Sequence, residues 1–178
     1  MLGIKPVPTI EIETDRLRLL ALTLEHLRTC LIAPERLEQE LGFPIAADLF
    51  TAPVQRALGV KVDKMVHLVP DVHHWYTYWL VVIAADSIGV GLIGFKGEPD
   101  RQGEVEIGYG IVPAQRNRGY TTEATRALIA WAFQDPAYRA VVADSAMDNL
   151  ASSRLLTKVG RHIFRGTEET LSWRITRA

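Results

Sequence analysis

The chain has one cysteine, Cys30, so no internal disulfide can form. It has no apolar run of the roughly 18 residues that a membrane-spanning helix needs. Its opening stretch, MLGIKPVPTIEIETD, lacks the apolar segment of a secretory signal. Neither charge dominates: 20 Lys and Arg stand against 21 Asp and Glu, a balance that gives no support to nucleic acid or a polyanionic surface as partner. There is no internal repeat and no low-complexity tract. His67, His73 and His74 lack metal-ligand spacing, and neither a cysteine pair nor an H-x-x-x-H motif occurs, so no metal site is expected. These absences predict a protein of the cytoplasm with no membrane or nucleic-acid partner. Its 178 residues, 48% hydrophobic, suit one domain over 1–178 with a sizeable core. Cys30 itself, among leucines and without an inferable histidine partner, reads as a small core residue rather than a nucleophile.

What is present is a succession of short periodic segments. TIEIETDRLRLLAL alternates as a strand interrupted near Thr14-Asp15. Thr23 is placed to cap a helix carrying Leu24, Leu27 and Leu31, and Pro34 opens a second helix that Gly42 closes. Residues 43–75, with Pro44, Pro53 and Pro70, predict one or two short helices without definable bounds. From Trp75 the aromatic and β-branched run WYTYWLVVIAA predicts a strand, with core packing as the first role for Trp75, Tyr76, Tyr78 and Trp79. SIGVGLIGFKG follows after a turn near Asp86-Ser87. EVEIGYGIV, ended by Pro113, then completes a three-strand meander. A helix is expected over Thr121–Phe133, with Ala124, Ala127, Leu128, Trp131 and Ala132 on one face. AVVADSA reads as a buried strand and NLASSRLLTKVG as a helix stopped by Gly160. The tail reads as a hairpin with Gly166 in its turn. Strands first and alternating β and α later predict a mixed α/β sheet.

One stretch carries the chemistry: QRNRGYTTEA, residues 115–124. The order strand, proline, basic loop, glycine, helix leaves about four backbone N–H groups unpaired at a positive dipole end, which is an anion site before side chains are counted. Arg116 and Arg118 add charge. Gly119 admits close approach to the backbone, and Thr121 and Thr122 either cap the helix or donate hydroxyls to a phosphate. The P-loop pattern is excluded because no lysine follows Gly119. The dinucleotide pattern is excluded because Pro113 stands where a third glycine after Gly108 and Gly110 is needed.

The loop Arg116, Asn117, Arg118, Gly119, Tyr120, Thr121 resembles the Q/R-x-x-G-x-G/A pyrophosphate loop of the GNAT superfamily of acyl-CoA-dependent N-acetyltransferases, with Thr121 departing from the usual Gly or Ala. EIGYGIVP resembles that family's fourth strand and NLASSRLLTKVG its later helix. IETDRLRLLAL resembles the opening strand of the branch that includes ribosomal-protein N-acetyltransferases. The likeness covers about 10–32 and 76–165, with the segments in order.

This resemblance implies a GNAT-like fold whose fourth and fifth strands splay, with acetyl-CoA in the gap. Its pyrophosphate would lie on 116–121, and its pantetheine arm would pair with the backbone of Ile111 and Val112. A backbone N–H near Val112 would face the thioester carbonyl. It also implies Glu106 as base for the acceptor amine, against the alternative that Glu104 and Glu106 are solvent-facing strand residues. Asn149 either bonds the pantetheine arm or only caps its helix. Ser152 either meets the sulfur as acid or plays a structural part. Leu156 stands where many members carry a tyrosine, and Arg161-His162 depart from the usual sequence after this helix. The expected acceptor is a primary amine on a small molecule or a protein N-terminus, and the expected assembly a monomer or homodimer. The rival is a non-catalytic acyl-CoA-binding module.

Overall fold

The computed structural model describes residues 10–159 and 162–177, the side chains of 162–164 excepted, so Gly160 and Arg161 lie outside the described residues. The first described strands are β1 (Glu11–Glu13) and β2 (Leu17–Ala21), an antiparallel pair. The interruption at Thr14-Asp15 is their corner, where Thr14 Oγ1 accepts from Leu17 N at 2.9 Å. Next come α1 (Leu24–Ile32) and α2 (Pro34–Leu41). Thr23 Oγ1 accepts from His26 N at 3.1 Å, while His26 Nδ1 accepts from Thr23 N at 3.2 Å, a reciprocal cap. Gly42 ends α2 at φ +79°, as a C-terminal glycine should.

The segment without definable bounds holds a 14-residue helix, α3 (Ala52–Met65), opened by Pro53 in its first turn. A short helix, α4 (His73–Tyr76), follows and corrects the expectation of a strand from Trp75: β3 is only Trp79–Ile83. Aromatic side chains favour strands, but tertiary packing overrides that preference here. Trp75 stacks on Tyr138 at 4.0 Å between centroids and meets Trp131 at 4.7 Å, while Thr77 N donates to His73 O to close the turn. Trp75 and Trp79 are both buried.

The meander forms as read: β3, β4 (Ile88–Phe95) and β5 (Glu104–Ile111) pair antiparallel in succession. Then come α5 (Tyr120–Ala132), β6 (Ala140–Ala146), α6 (Leu150–Val159), β7 (His162–Gly166) and β8 (Thr170–Thr176). The buried face of α5 is turned slightly from the one expected. Ala124, Leu128 and Ala132 are buried with Thr125 and Ile129, whereas Ala127 and Trp131 are partly exposed. The final turn falls at 167–169, just past Gly166, with Thr167 Oγ1 accepting from Thr170 N.

The described strands make one mixed sheet of eight, ordered β1-β2-β3-β4-β5-β6-β8-β7 and flanked by helices, with α5 packed on β2, β4 and β5. Leu17, Leu19, Trp79, Leu80 and Phe95 anchor its core. Every pairing is antiparallel except that of β5 with β6. That parallel ladder is short: Glu104↔Ala140, Val105↔Val141 and Glu106↔Val142. Beyond it β5 continues along β4 to Gly91↔Ile111, and β6 continues along β8 to Ala146↔Thr170. Each strand keeps its outer partner and loses the inner one, so the sheet parts at its centre.

Candidate active site

The parting of β5 and β6 opens a cleft of about 970 Å³, walled by β5, the loop 115–119, the start of α5 and one side of α6. Its floor is a strand edge. Val112 N donates to Val90 O at 2.9 Å, and Lys96 N donates to Glu106 O at 2.9 Å. The register with β4 is unbroken between those points, so there is no bulge to change the face that Glu106 uses. Alternation along an antiparallel ladder then turns the N–H and C=O groups of Ile107, Tyr109 and Ile111 away from β4, into the gap. Arg116 Nε, donating to Ile111 O at 3.4 Å, marks that direction independently. Of the two residues expected to offer their backbone, Ile111 faces the cleft and Val112 does not, because its N–H is held by β4. Close approach of the strands here demands glycine: a Cβ on Gly91 would meet Gly110 O at 2.7 Å.

The floor runs into the loop expected to take an anion. After Ile111 the chain makes a 3₁₀ turn over Pro113–Gln115. Asn117 and Gly119 then take positive φ, +61° and +82°, and α5 begins. Gly119 is the N-cap of α5 and supplies no side-chain oxygen, so the N–H groups of Tyr120, Thr121 and Thr122 are left pointing out of the first turn. Arg116, Asn117, Gly119, Tyr120, Thr121 and Thr122 all line the cleft; Arg118 does not. Arg118 contributes its carbonyl instead, accepting from Arg16 Nη1 at 3.0 Å.

That last contact belongs to a clamp the sequence reading missed. Glu123, in the first turn of α5, accepts from Thr14 Oγ1 at 2.7 Å, from Arg16 N at 2.9 Å and from Arg16 Nε at 2.7 Å. The Arg16 guanidinium also lies over the Tyr120 ring, 4.8 Å from its centre. Burial opposes ionisation of Glu123, but the hydrogen bonds from Thr14 and Arg16 and the Arg16 charge outweigh it and hold the carboxyl below its usual range. The β1–β2 corner thus fixes the start of α5, and with it the loop. A carboxylate in a helix's first turn was a readable signal; its partners, 107 and 109 residues away, were not.

On the opposite wall, Asn149 Oδ1 accepts from Ser152 N at 3.0 Å, which caps α6 and leaves the amide nitrogen as a donor to the cleft it lines. Ser152 Oγ lies 2.8 Å from Tyr109 Oη, a hydrogen bond that crosses from α6 to β5. Arg154 and Lys158 add positive charge along the same wall, one turn apart. Where the strands diverge, Glu106 is ion-paired with Lys96, and Asp144 lines the cleft nearby. Glu104 is paired with Arg174 and is not in the cleft. The cleft is therefore cationic toward the loop and carries carboxylates at its vertex. Of the site residues expected, Glu106, Ile111, Arg116, Asn117, Gly119, Tyr120, Thr121, Thr122, Asn149 and Ser152 come together there. Tyr109, Lys96, Asp144, Arg154 and Lys158 are its unforeseen members.

Other candidates fall elsewhere. Cys30 is fully buried, and burial pushes its thiol up to about 12, so it holds no nucleophile at neutral pH. His73 Nε2 donates to the carbonyls of Met65 and Leu68 at the end of α3. Among the described residues no group of three or more His, Cys, Asp or Glu converges as metal ligands would. None of the helices described is long and apolar enough to cross a membrane.

The model of the GNAT acetyltransferase domain matches residues 16–162. The chain belongs to the GNAT acetyltransferase family. An uncharacterized N-acetyltransferase of Bacillus subtilis, YjdG, is 29% identical over 168 residues, covering 91% of this chain and 95% of its own. Among solved structures, the ribosomal-protein-S5-alanine acetyltransferase of Vibrio fischeri superposes with a TM-score of 0.63 at 14% identity, over 94% of this chain and 96% of that one. RimL, a ribosomal L7/L12 α-N-protein acetyltransferase solved with coenzyme A, gives a TM-score of 0.62 at 14% identity, over 94% and 98%. At such identities the structures establish the shared fold. Like other GNAT proteins, this chain is thus an acetyltransferase of a family that uses acetyl-CoA.

Proposed function

We propose that this protein moves an acetyl group from acetyl-CoA to a primary amine, on a small molecule or a protein N-terminus, by direct attack in a ternary complex. The observation that supports this most is the continuity of the unpaired β5 edge with the start of α5. The backbone of Ile107, Tyr109 and Ile111 offers strand-like partners to an extended amide-bearing arm, and the loop beyond offers N–H groups and Arg116 to a pyrophosphate. A coenzyme A molecule is an amide arm joined to a pyrophosphate.

The residues at the vertex fit the remaining needs. The amine must lose a proton before it attacks, and Glu106 takes it, directly or through water, once an incoming cation replaces Lys96. The carbonyl oxygen gains charge as the N–C bond forms, and a gap-facing backbone N–H of the β5 edge would donate to it. As the C–S bond breaks, Ser152 donates a proton to the sulfur. Calorimetry with coenzyme A and a thiol-release assay with acetyl-CoA over a panel of peptides, polyamines, aminoglycosides and amino acids test the reading. Binding of coenzyme A together with acceptor-dependent thiol release is expected.

A second reading, an acyl-CoA-binding module without catalysis, draws on the Lys96 pairing of Glu106 and on Leu156, which is fully buried where many members carry a phenol. It expects binding with no thiol release for any amine. ATP binding that coenzyme A does not compete away would remove both readings.

A further inference from the structure

Leu156 leaves the family's usual phenol without a place on α6, and a serine hydroxyl by itself is a poor acid. The structure supplies a phenol from another element. Tyr109 stands on β5, two residues before Ile111 and on the same side of the ladder, and its Oη lies 2.8 Å from Ser152 Oγ. Both side chains line the cleft, and among the described residues no other side-chain hydrogen bond joins β5 to α6. We propose that Tyr109 is the positioning residue and proton source behind Ser152, so that the departing thiolate draws its proton from the phenol through the serine hydroxyl.

The inference rests on the acetyl-transfer reading, and its proton account closes. The amine nitrogen bonds to the acetyl carbon and the C–S bond breaks. The sulfur takes the Ser152 proton, Ser152 Oγ takes the Tyr109 proton, and the tyrosinate regains one from solvent. The proton lost by the amine leaves through Glu106 to solvent, so the products are the amide and the free thiol. Ordinary thiol and phenol pKa values, about 8.5 and 10, lie close enough for a transfer that develops with the charge on sulfur. Burial lifts the Tyr109 phenol, with the Ser152 bond opposing, so it is protonated at neutral pH and stands further above the thiol than the ordinary values give. The charged groups sharing the cleft are Lys96 at the end of β4, Glu106 on β5, Arg116 on the loop, Asp144 on β6, and Arg154 and Lys158 on α6.

The test uses the full chain, acetyl-CoA and the best acceptor of the amine panel, with thiol release as readout. Tyr109→Phe keeps the ring and removes Oη. Its kcat should fall about 10²-fold with the KM for acetyl-CoA within twofold, and the deficit should shrink with a thioester of a more acidic thiol. Two groups in series fail together, so Tyr109→Phe/Ser152→Ala should be no slower than Ser152→Ala alone. Fluorotyrosine at position 109 keeps the packing and lowers the phenol pKa, and the alkaline limb of the kcat profile should move to lower pH with it. This variant decides the matter if Tyr109→Phe fails to fold. A wild type that binds coenzyme A and acetylates nothing removes the acetyl-transfer reading and this inference with it. An active wild type matched within twofold by Tyr109→Phe, multiplying losses in the double variant, or an unmoved alkaline limb overturns this inference alone.

Discussion

At the scale of single residues, the proposed roles divide between groups that would bind and groups that would move protons. Glu106→Gln keeps the side-chain shape and removes the proposed base, so turnover should fall about 10²–10⁴-fold while acetyl-CoA affinity changes little. Steady-state kinetics beside calorimetry would check this, and activity within twofold of wild type would reduce Glu106 to the solvent-facing partner of Lys96. Arg116→Ala removes a charge-assisted contact worth about 1.5–3 kcal/mol, and coenzyme A binding should weaken by about tenfold or more. Gly119→Val is a less clean probe. At φ +82° a branched residue is strained, and a Cβ there would meet Arg16 Nη2 at 3.3 Å, so this variant should lose stability as well as affinity. Unchanged coenzyme A affinity in Arg116→Ala would remove the loop from the binding site.

At the scale of elements, the cleft depends on how α5 is held. Its own N-cap is a glycine, and the fixing comes from Thr14 and Arg16 on the β1–β2 corner acting on Glu123. Glu123→Gln should loosen that corner from the helix. The expected loss of stability is modest, about 1 kcal/mol or less, because Arg16 is half exposed and solvent screens the pair. The loss of coenzyme A affinity should be larger than such a distant change would otherwise give. The pH dependence has a fixed sign. A carboxyl held below its usual range in the fold stabilises the protein above that range, and this contribution is lost as pH falls through the folded value. Urea unfolding of wild type and Glu123→Gln should therefore differ at neutral pH and converge in acid. Curves that stay equally separated down to acid pH would show that Glu123 acts through shape and not through charge.

At the scale of the molecule, α3 is tied to the sheet by a buried lysine. Lys61 Nζ donates to Tyr76 O at 2.8 Å and Phe95 O at 2.9 Å and lies 4.3 Å from the centre of the Tyr78 ring. Burial pushes it down to about 7, with Lys64 and Lys96 adding repulsion. The two carbonyls need only the two N–H bonds of a neutral amine. In the unfolded chain a lysine keeps its proton to about pH 10.4, so between pH 7 and that value the unfolded state holds more protons and stability should rise with pH. Lys61→Met should flatten that rise, as unfolding midpoints measured across this interval would show. Parallel curves for the two proteins would mean that Lys61 stays charged in the fold.

How much of this was legible in advance follows from the range of the forces involved. Caps, breaks and periods act over a few residues, so Thr23, Pro34, Gly42, Pro113 and the start of α5 near Gly119 could be read from the chain alone. So could the meander, the loop and the family likeness, because each is written in contiguous residues. The strand expected from Trp75 was misread because its aromatics serve Tyr138 and Trp131, more than fifty residues on. α3 had no readable bounds between its prolines. The site divides in the same way. Local order was enough to propose residues 116–122 as an anion site, since an open helix start needs no distant partner. The parting of β5 from β6, the choice of Ile111 over Val112, the Glu123 clamp and the meeting of Tyr109 with Ser152 were decided only in three dimensions. Each depends on which edge a strand leaves unpaired and on which side chain another element brings to it, and no spacing along one chain encodes that.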